Sequence, residues 1–291
     1  MGNFALFIKL ALIGVGVLLV LAAVVVGIGN ISFKRAFNGK VGRLFKDQPK
    51  AERAVITEED IKDLPEPVQR FLRYTKVIGK KRVATVRLKQ KGFMRPKPDG
   101  NWIPLEAEQF FAVDNPGFVW KGSLTMAPLL TMSAQDMYLN GTGNMHVKVM
   151  STITAVNAKG KDMDKASLLR YLSEMSWFPT SFVSDKVKWE PIDAQSARAS
   201  ITDHGITVSG VFTFNDKGEL IYFAAERARD VGGGKLVKTK WIADSPVREY
   251  RTINGMHIQV KGQASWHLDS GEYTYIKLDL TDIEYDNPTL Y

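Results

Sequence analysis

The sequence predicts an α+β protein, mainly β: an N-terminal transmembrane helix, then a curved antiparallel sheet forming a half-barrel, with a helical lid. Three observations predict it. An uncharged run, Leu10 to Gly29, lies near the N-terminus. From Arg82 onward apolar residues recur at every second position, the period of strands. One amphipathic stretch, Ser167 to Pro179, breaks into that alternation.

The first run is long enough to cross a hydrocarbon core of about 30 Å as a helix. It is too long for the apolar part of a usual signal peptide, although Leu21-Ala22-Ala23 leaves cleavage as a second reading. Residues 1–30 therefore read as a single-pass anchor in the cell membrane. Lys9 precedes the run, whereas Lys34, Arg35, Lys40, Arg43 and Lys46 follow it, and this bias favours a cytoplasmic domain after the span.

Residues 31–81 read as a basic juxtamembrane stalk with short helices. Phe33, Phe37, Val41, Leu44 and Phe45 recur at helical spacing up to about Lys50. Such a helix either lies on an anionic surface, with head groups near Lys34, Arg35, Lys40 and Arg43, or packs its apolar stripe on the domain. Thr57-Glu58-Glu59-Asp60 resembles a capping box opening a short helix. A second helix is expected in LPEPVQRFLRYTKVIG, with Pro67 in its first turn, Val68, Phe71 and Leu72 on one face, and Gly79 as its stop.

Residues 82–291 read as one antiparallel β domain with a helix inserted near 165–178. Alternation is clean in RVATVRLKQK, IPLEAEQFFAV and GFVWKGSLTM. Asn140-Gly141, Asp203-His204-Gly205, Asn215-Asp216-Lys217-Gly218 and Asn254-Gly255 supply hairpin turns. In the inserted helix Leu168, Tyr171, Leu172 and Met175 form an apolar face, and Ser167, Arg170, Ser173 and Glu174 a polar one. A curved sheet must cover its concave face, so this helix reads as a lid or plug.

The chain has 291 residues, is 45% hydrophobic and carries a formal net charge of +8, so it can bury a core and invites anionic partners. It has no cysteine, which excludes disulfides, thiolate catalysis and cysteine-held metals. His146, His204, His257 and His267 match no metal spacing, and no cofactor motif is present. Gly232-Gly233-Gly234-Lys235 lacks the outer residues of a phosphate loop and reads as a hairpin connection. Asp203-His204-Gly205 reads as a hairpin tip before a catalytic pair, and Glu106 and Glu108 as partners of neighbouring strand cations. The aromatics alternate with apolar residues and not with Lys and Arg, against nucleic-acid binding.

The remaining lead is aromatic and aliphatic. Trp120, Leu168, Tyr171, Leu172, Met175, Trp177, Phe178 and Trp189 are the candidate lining of an apolar ligand cavity beneath the lid. The same residues would equally build a filled core.

LPEPVQRFLRYTKVIGK, GNWIPLEAEQFF, GFVWKGSLTMAP, LLRYLSEMSWFPTSF and VKWEPID together resemble an uncharacterised bacterial family of unknown function, from about Leu64 to Tyr285. The resemblance brings no activity and no catalytic residues. In its order of elements the domain also resembles the lipoprotein-carrier fold, a half-open antiparallel barrel closed by helices that holds acyl chains. That likeness implies an extracytoplasmic domain, opposite to the flanking charges. Two functions stay open, a non-catalytic module binding a hydrophobic or lipidic ligand and a membrane-tethered interaction domain with a filled core. A hydrolase is the third, and no acid, base and nucleophile constellation marks one.

Overall fold

The computed structural model describes residues 2–46, 48, 53–128, 130–231 and 236–291. The Gly232–Lys235 loop lies outside the described residues, as does the end of the stalk at Lys50. Helix α1 (Gly2–Lys46) is unbroken, so the apolar run and the basic stretch are one rod of about 68 Å. It is long and apolar enough to cross a membrane, and its large apolar residues from Leu6 to Val25 are exposed. This half is a candidate membrane anchor or signal sequence.

After α2 (Glu66–Tyr74), strands β1 (Thr85–Met94), β2 (Ile103–Ala112), β3 (Gly117–Ala127), β4 (Leu130–Leu139), β5 (Thr142–Val149) and β6 (Ile153–Ala158) form a meander. Helix α3 (Lys161–Glu174) and two 3-10 turns, Met175–Trp177 and Pro179–Val183, interrupt it. A second series follows: β7 (Val187–Pro191), β8 (Ser196–Asp203), β9 (Ile206–Phe214), β10 (Leu220–Asp230) and β11 (Leu236–Asp244). The chain ends with the hairpin β12 (Tyr250–Ile253) and β13 (Met256–Gln259), then β14 (Lys261–Leu268) and β15 (Gly271–Tyr285).

Thirteen of these strands form one antiparallel sheet, in the order β6-β5-β4-β3-β2-β1-β15-β14-β11-β10-β9-β8-β7. The long β15 joins the two series by pairing with β1 on one side and β14 on the other. The two edges, β6 and β7, are consecutive in sequence, so the chain between them crosses the open side of the curl. That chain is α3, which packs on β4 and β5 of one half and on β9 and β10 of the other. The sheet closes around it as a half-barrel. Asn140-Gly141, His204-Gly205 and Asn254-Gly255 all take positive φ at both positions, the tight hairpin turns their sequences demand.

Two local expectations are corrected, and the setting of the inserted helix is new. The polar face of α3 is not solvated: Ser167 and Ser173 are buried, and Arg170 and Glu174 are nearly so. Helix and sheet touch directly, because Gly143 lacks a β-carbon that would meet the Met163 carbonyl oxygen at 2.5 Å. Thr57 does bond Asp60, but through Oδ2 to its own N–H and hydroxyl, and single turns follow without a helix. Pro65 soon after bars Leu64 from helical geometry. Finally α2 stops at Tyr74, not Gly79. The Thr75 hydroxyl bonds back to the Phe71 carbonyl, Val77 N–H donates to the Leu72 carbonyl, and Lys76 takes the left-handed position at φ 58°.

The main core lies on the concave side. A second, smaller core lies outside the sheet, where Phe37, Val41 and Leu44 of α1 pack on Phe110, Ala112 and Val119 of β2 and β3. The apolar stripe of the stalk is therefore spent on the domain. On β2 Glu106 is exposed and Glu108 half-buried, and they pair with Lys91 and Lys121 of the flanking strands.

Candidate functional site: a half-filled barrel

Two cross-strand rows face each other across α3. In the first, register aligns Gln109, Trp120, Asp136, Met145 and Ala158 from β2 to β6. In the second it aligns Phe223, Ala243, Ala264, Ile276 and Met94, from β10 through β11, β14 and β15 to β1. The second row has alanine at two adjacent places, and alanine cannot reach α3. A cavity of about 440 Å³ remains. Trp241 and Trp266, directly opposed on β11 and β14, extend its wall, and Trp177 and Met163 close it from the helical side.

The first row carries a buried polar network. Arg170 Nη1 donates to Asp136 Oδ2 at 2.8 Å, and its Nε to Glu174 Oε1 at 2.9 Å. Gln109 Nε2 donates to the other oxygen of Glu174 at 2.7 Å, and Trp120 Nε1 to Gln90 Oε1 at 3.0 Å. The guanidinium lies 5.0 Å from the Phe118 ring centre and 5.2 Å from that of Trp120. Burial works against the charge of Arg170, but Glu174 and Asp136 more than offset it, and its pKa stands above the usual value. Burial pushes the Glu174 carboxyl up despite Arg170 beside it. An ion pair held this way is costly to break and defines how α3 sits on the sheet.

The opposite wall is cationic and aromatic. The Arg227 guanidinium lies 5.0 Å from the Trp241 ring centre and 5.9 Å from that of Trp266, and its Nε is buried without a hydrogen bond. Among the described residues it has no carboxylate partner within ion-pair distance. Trp241 Nε1 donates to the Tyr275 hydroxyl at 3.1 Å. Asp244 lies nearby, its carboxyl pushed up by burial, with Gln263 Nε2 donating to it at 3.4 Å.

Of the eight residues read from sequence as the lining, Trp120 and Trp177 border the cavity. Trp177 is half-buried, and its carbonyl accepts from the Tyr285 hydroxyl at 2.7 Å. Leu168, Tyr171, Leu172, Met175 and Phe178 are buried in the core with Phe111, and the Tyr171 hydroxyl donates to the Ala112 carbonyl at 3.0 Å. Trp189 lies among Phe182 and Phe212, at ring distances of 5.1 and 5.4 Å. Sequence reading did not name Arg170, Asp136, Phe223 or Arg227 as lining, and Trp241 and Trp266 stood out only as two of the six tryptophans spread along strands and helix. Extending the inward parity of Phe223 through Ala225 would have pointed to Arg227.

Among the described residues no histidine lines the cavity, and no group of three His, Asp or Glu is placed to hold a metal. The His204-Asp203 pair (Nδ1 to Oδ2, 2.8 Å) sits at its hairpin tip, where Asp203 also accepts from the Tyr138 hydroxyl.

Fold and site together define a half-barrel protein with a hollow on its concave side. The chain belongs to the family described as Family of unknown function (DUF6544), which matches residues 54–278. No curated protein matches it in sequence. Among solved structures it is similar to a domain assigned to outer membrane lipoprotein sorting from Vibrio parahaemolyticus. Identity there is 10% and the TM-score 0.41, over 79% of this chain and 94% of that one. It is also similar to a DUF1329 family protein from Desulfovibrio piger (10% identity, TM-score 0.41, 77% and 93% covered). At TM-scores below 0.5 these likenesses transfer no role to this chain.

Proposed function

We propose that the protein is a membrane-anchored, non-catalytic module that holds a hydrophobic or lipidic ligand in the cavity. The observation that carries this reading is the hollow itself, walled by Trp120, Trp177, Phe223, Trp241, Trp266 and Leu278. Its volume of about 440 Å³ falls within the range of roughly 300–1,000 Å³ typical of small-ligand pockets. Arg227 gives an amphiphile's polar end a place to sit. Among the described residues, the lining serine hydroxyls donate to backbone carbonyls and are not paired with a side-chain base.

In this reading α1 spans the bilayer, and its cations meet anionic head groups. Lys34 and Arg35 are exposed just beyond the apolar run. Arg43 is also exposed, but it lies about 21 Å beyond the end of the apolar run at Gly29, against about 9 Å for Arg35, and so well past the screening length of about 8 Å. Lys40 is half-buried and donates to Gln135 Oε1 at 2.8 Å, and burial, with Arg43 beside it, lowers its pKa. Lys34 and Arg35 therefore carry the attraction.

Native mass spectrometry of the full chain released from detergent tests the proposal. A discrete adduct of lipid mass, lost after organic extraction, is expected; bare protein throughout would overturn it. One observation favours a second reading. Strand β6 is an open edge, exposed over nearly its whole length, and such an edge accepts a strand from a partner. Bare protein whose β6 amides become protected from hydrogen exchange in membranes containing that partner would favour this alternative.

A further inference from the structure

Helix α1 leaves the domain beside two hairpin turns. From Leu44, which lies against Gly117 at the start of β3, it runs back along the outer face of the sheet. Lys40 and the Phe33 carbonyl bond Gln135 midway along β4. At Gly29 it reaches the β5–β6 turn, where a β-carbon would lie 2.7 Å from Thr152 Cγ2 and 2.8 Å from the Ser151 oxygen. That turn is tied to its neighbour, because Met150 N–H donates to the Thr131 carbonyl at 2.8 Å, next to the β3–β4 turn. The helix thus follows the strands, and both turns lie at the end from which it departs.

The uncharged run Leu10–Gly29 ends at the residue that meets the turn. Twenty helical residues rise about 30 Å, the thickness of the hydrocarbon core, so a span filled by this run ends level with the turns. Several large apolar side chains there are exposed. Ile153 is 67% exposed, Met126 45% and Leu130 38%, beside Ile28 and Ile31 on the helix at 62% and 56%. Lys148 in β5 and Lys34 and Arg35 on α1 add cations and suit phosphate head groups. The opposite turns present Asp114-Asn115 and Asn140-Gly141.

We infer that the β5–β6 turn and the adjoining ends of β3 and β4 rest in the interface of the same bilayer that α1 crosses, with Met126, Leu130 and Ile153 among the lipid. This rests on the reading of α1 as a span. It also links membrane and cavity through one strand, since β6 has Ile153 at the membrane end and Val156 and Ala158 on the cavity wall.

The natural absence of cysteine allows a direct test. Leu18→Cys, Ile153→Cys and Val247→Cys in the full chain, each at an exposed site, are labelled with an environment-sensitive fluorophore. The proteins are reconstituted into phosphatidylcholine–phosphatidylglycerol vesicles containing a nitroxide lipid. Strong quenching at residue 18, and quenching at residue 153 several-fold above that at residue 247, are expected. Quenching at 18 with 153 no better than 247 overturns the docking alone. Absence of quenching at 18 overturns the span and the docking together.

Discussion

One sheet encloses two different interiors. At one end Phe71 of α2, Phe182 of the 3-10 turn, and Phe212 and Phe214 of β9 pack ring against ring at 5.0–5.2 Å, with Trp189 beside them. At the other, Trp177, Trp241 and Trp266 surround open volume, because Ala243 and Ala264 stand where the first end has phenylalanines. Both regions are rich in aromatics, so composition does not separate filled from hollow. What separates them is whether a large side chain meets another large one or a small one across the gap.

Substitutions sharpen this contrast. Phe182→Ala removes a ring in contact with three others and is expected to cost about 3–5 kcal/mol, measured by urea unfolding of the full chain in detergent. Against a typical total of about 5–15 kcal/mol this is a large share of the stability. Arg170→Met comes next, at about 3 kcal/mol, because Asp136 and Glu174 stay buried without their counter-charge. Adding Asp136→Asn to it should recover part of the loss. If that double variant is no more stable than the single one, the network is not the cause.

Trp177→Ala, at the border of the hollow, should cost only about 1–2 kcal/mol, since a half-buried ring loses fewer contacts. The chain stays cooperatively folded while an apolar fluorescent probe leaves several-fold faster. A loss equal to that of Phe182→Ala would break the comparison between the two ends.

The smallest effect is expected at Asp244. Burial raises its folded pKa above the ordinary 3.8, so the native state holds the proton more tightly than the unfolded chain. Its contribution therefore favours folding below about pH 3.8 and is lost as pH rises through the raised value. Asp244→Asn should remove that loss, raising stability at neutral pH by about a few tenths of a kcal/mol after solvent screening. Thermal melts across pH 3–7 would show a flatter profile, and an unchanged one would deny the carboxyl this role.

The sheet was legible because alternation and the Asn-Gly turns are local signals. The helix in its middle was legible too, from a change of period at Ser167–Pro179. The burial of its polar face was not legible, because Arg170 and Glu174 look like solvent-facing residues until Asp136 and Gln109 are known to lie opposite them. The hollow was harder. Ala243 and Ala264 are twenty-one positions apart, and only the pairing of β11 with β14 makes them one gap. Register between strands joined through a separate hairpin is a non-local property that alternation does not encode. The stalk offered two partners for Phe37 and Val41, and only the fold shows that Phe110 and Val119 take them.

The unbroken α1 has a consequence for traffic. A domain on a flexible linker of twenty residues would roam about 25 Å from its anchor. This one is clamped along its own rod, with Phe37 and Leu44 against the sheet, and so keeps a fixed orientation to that rod. Under the proposed reading, in which α1 spans the bilayer and the hollow holds a ligand, that ligand is taken up and handed over in place, to partners that reach the domain in the membrane plane. In such an arrangement exchange is governed by encounter in the membrane plane, and a linker inserted after Gly29 would turn a fixed docking post into a free-swinging courier.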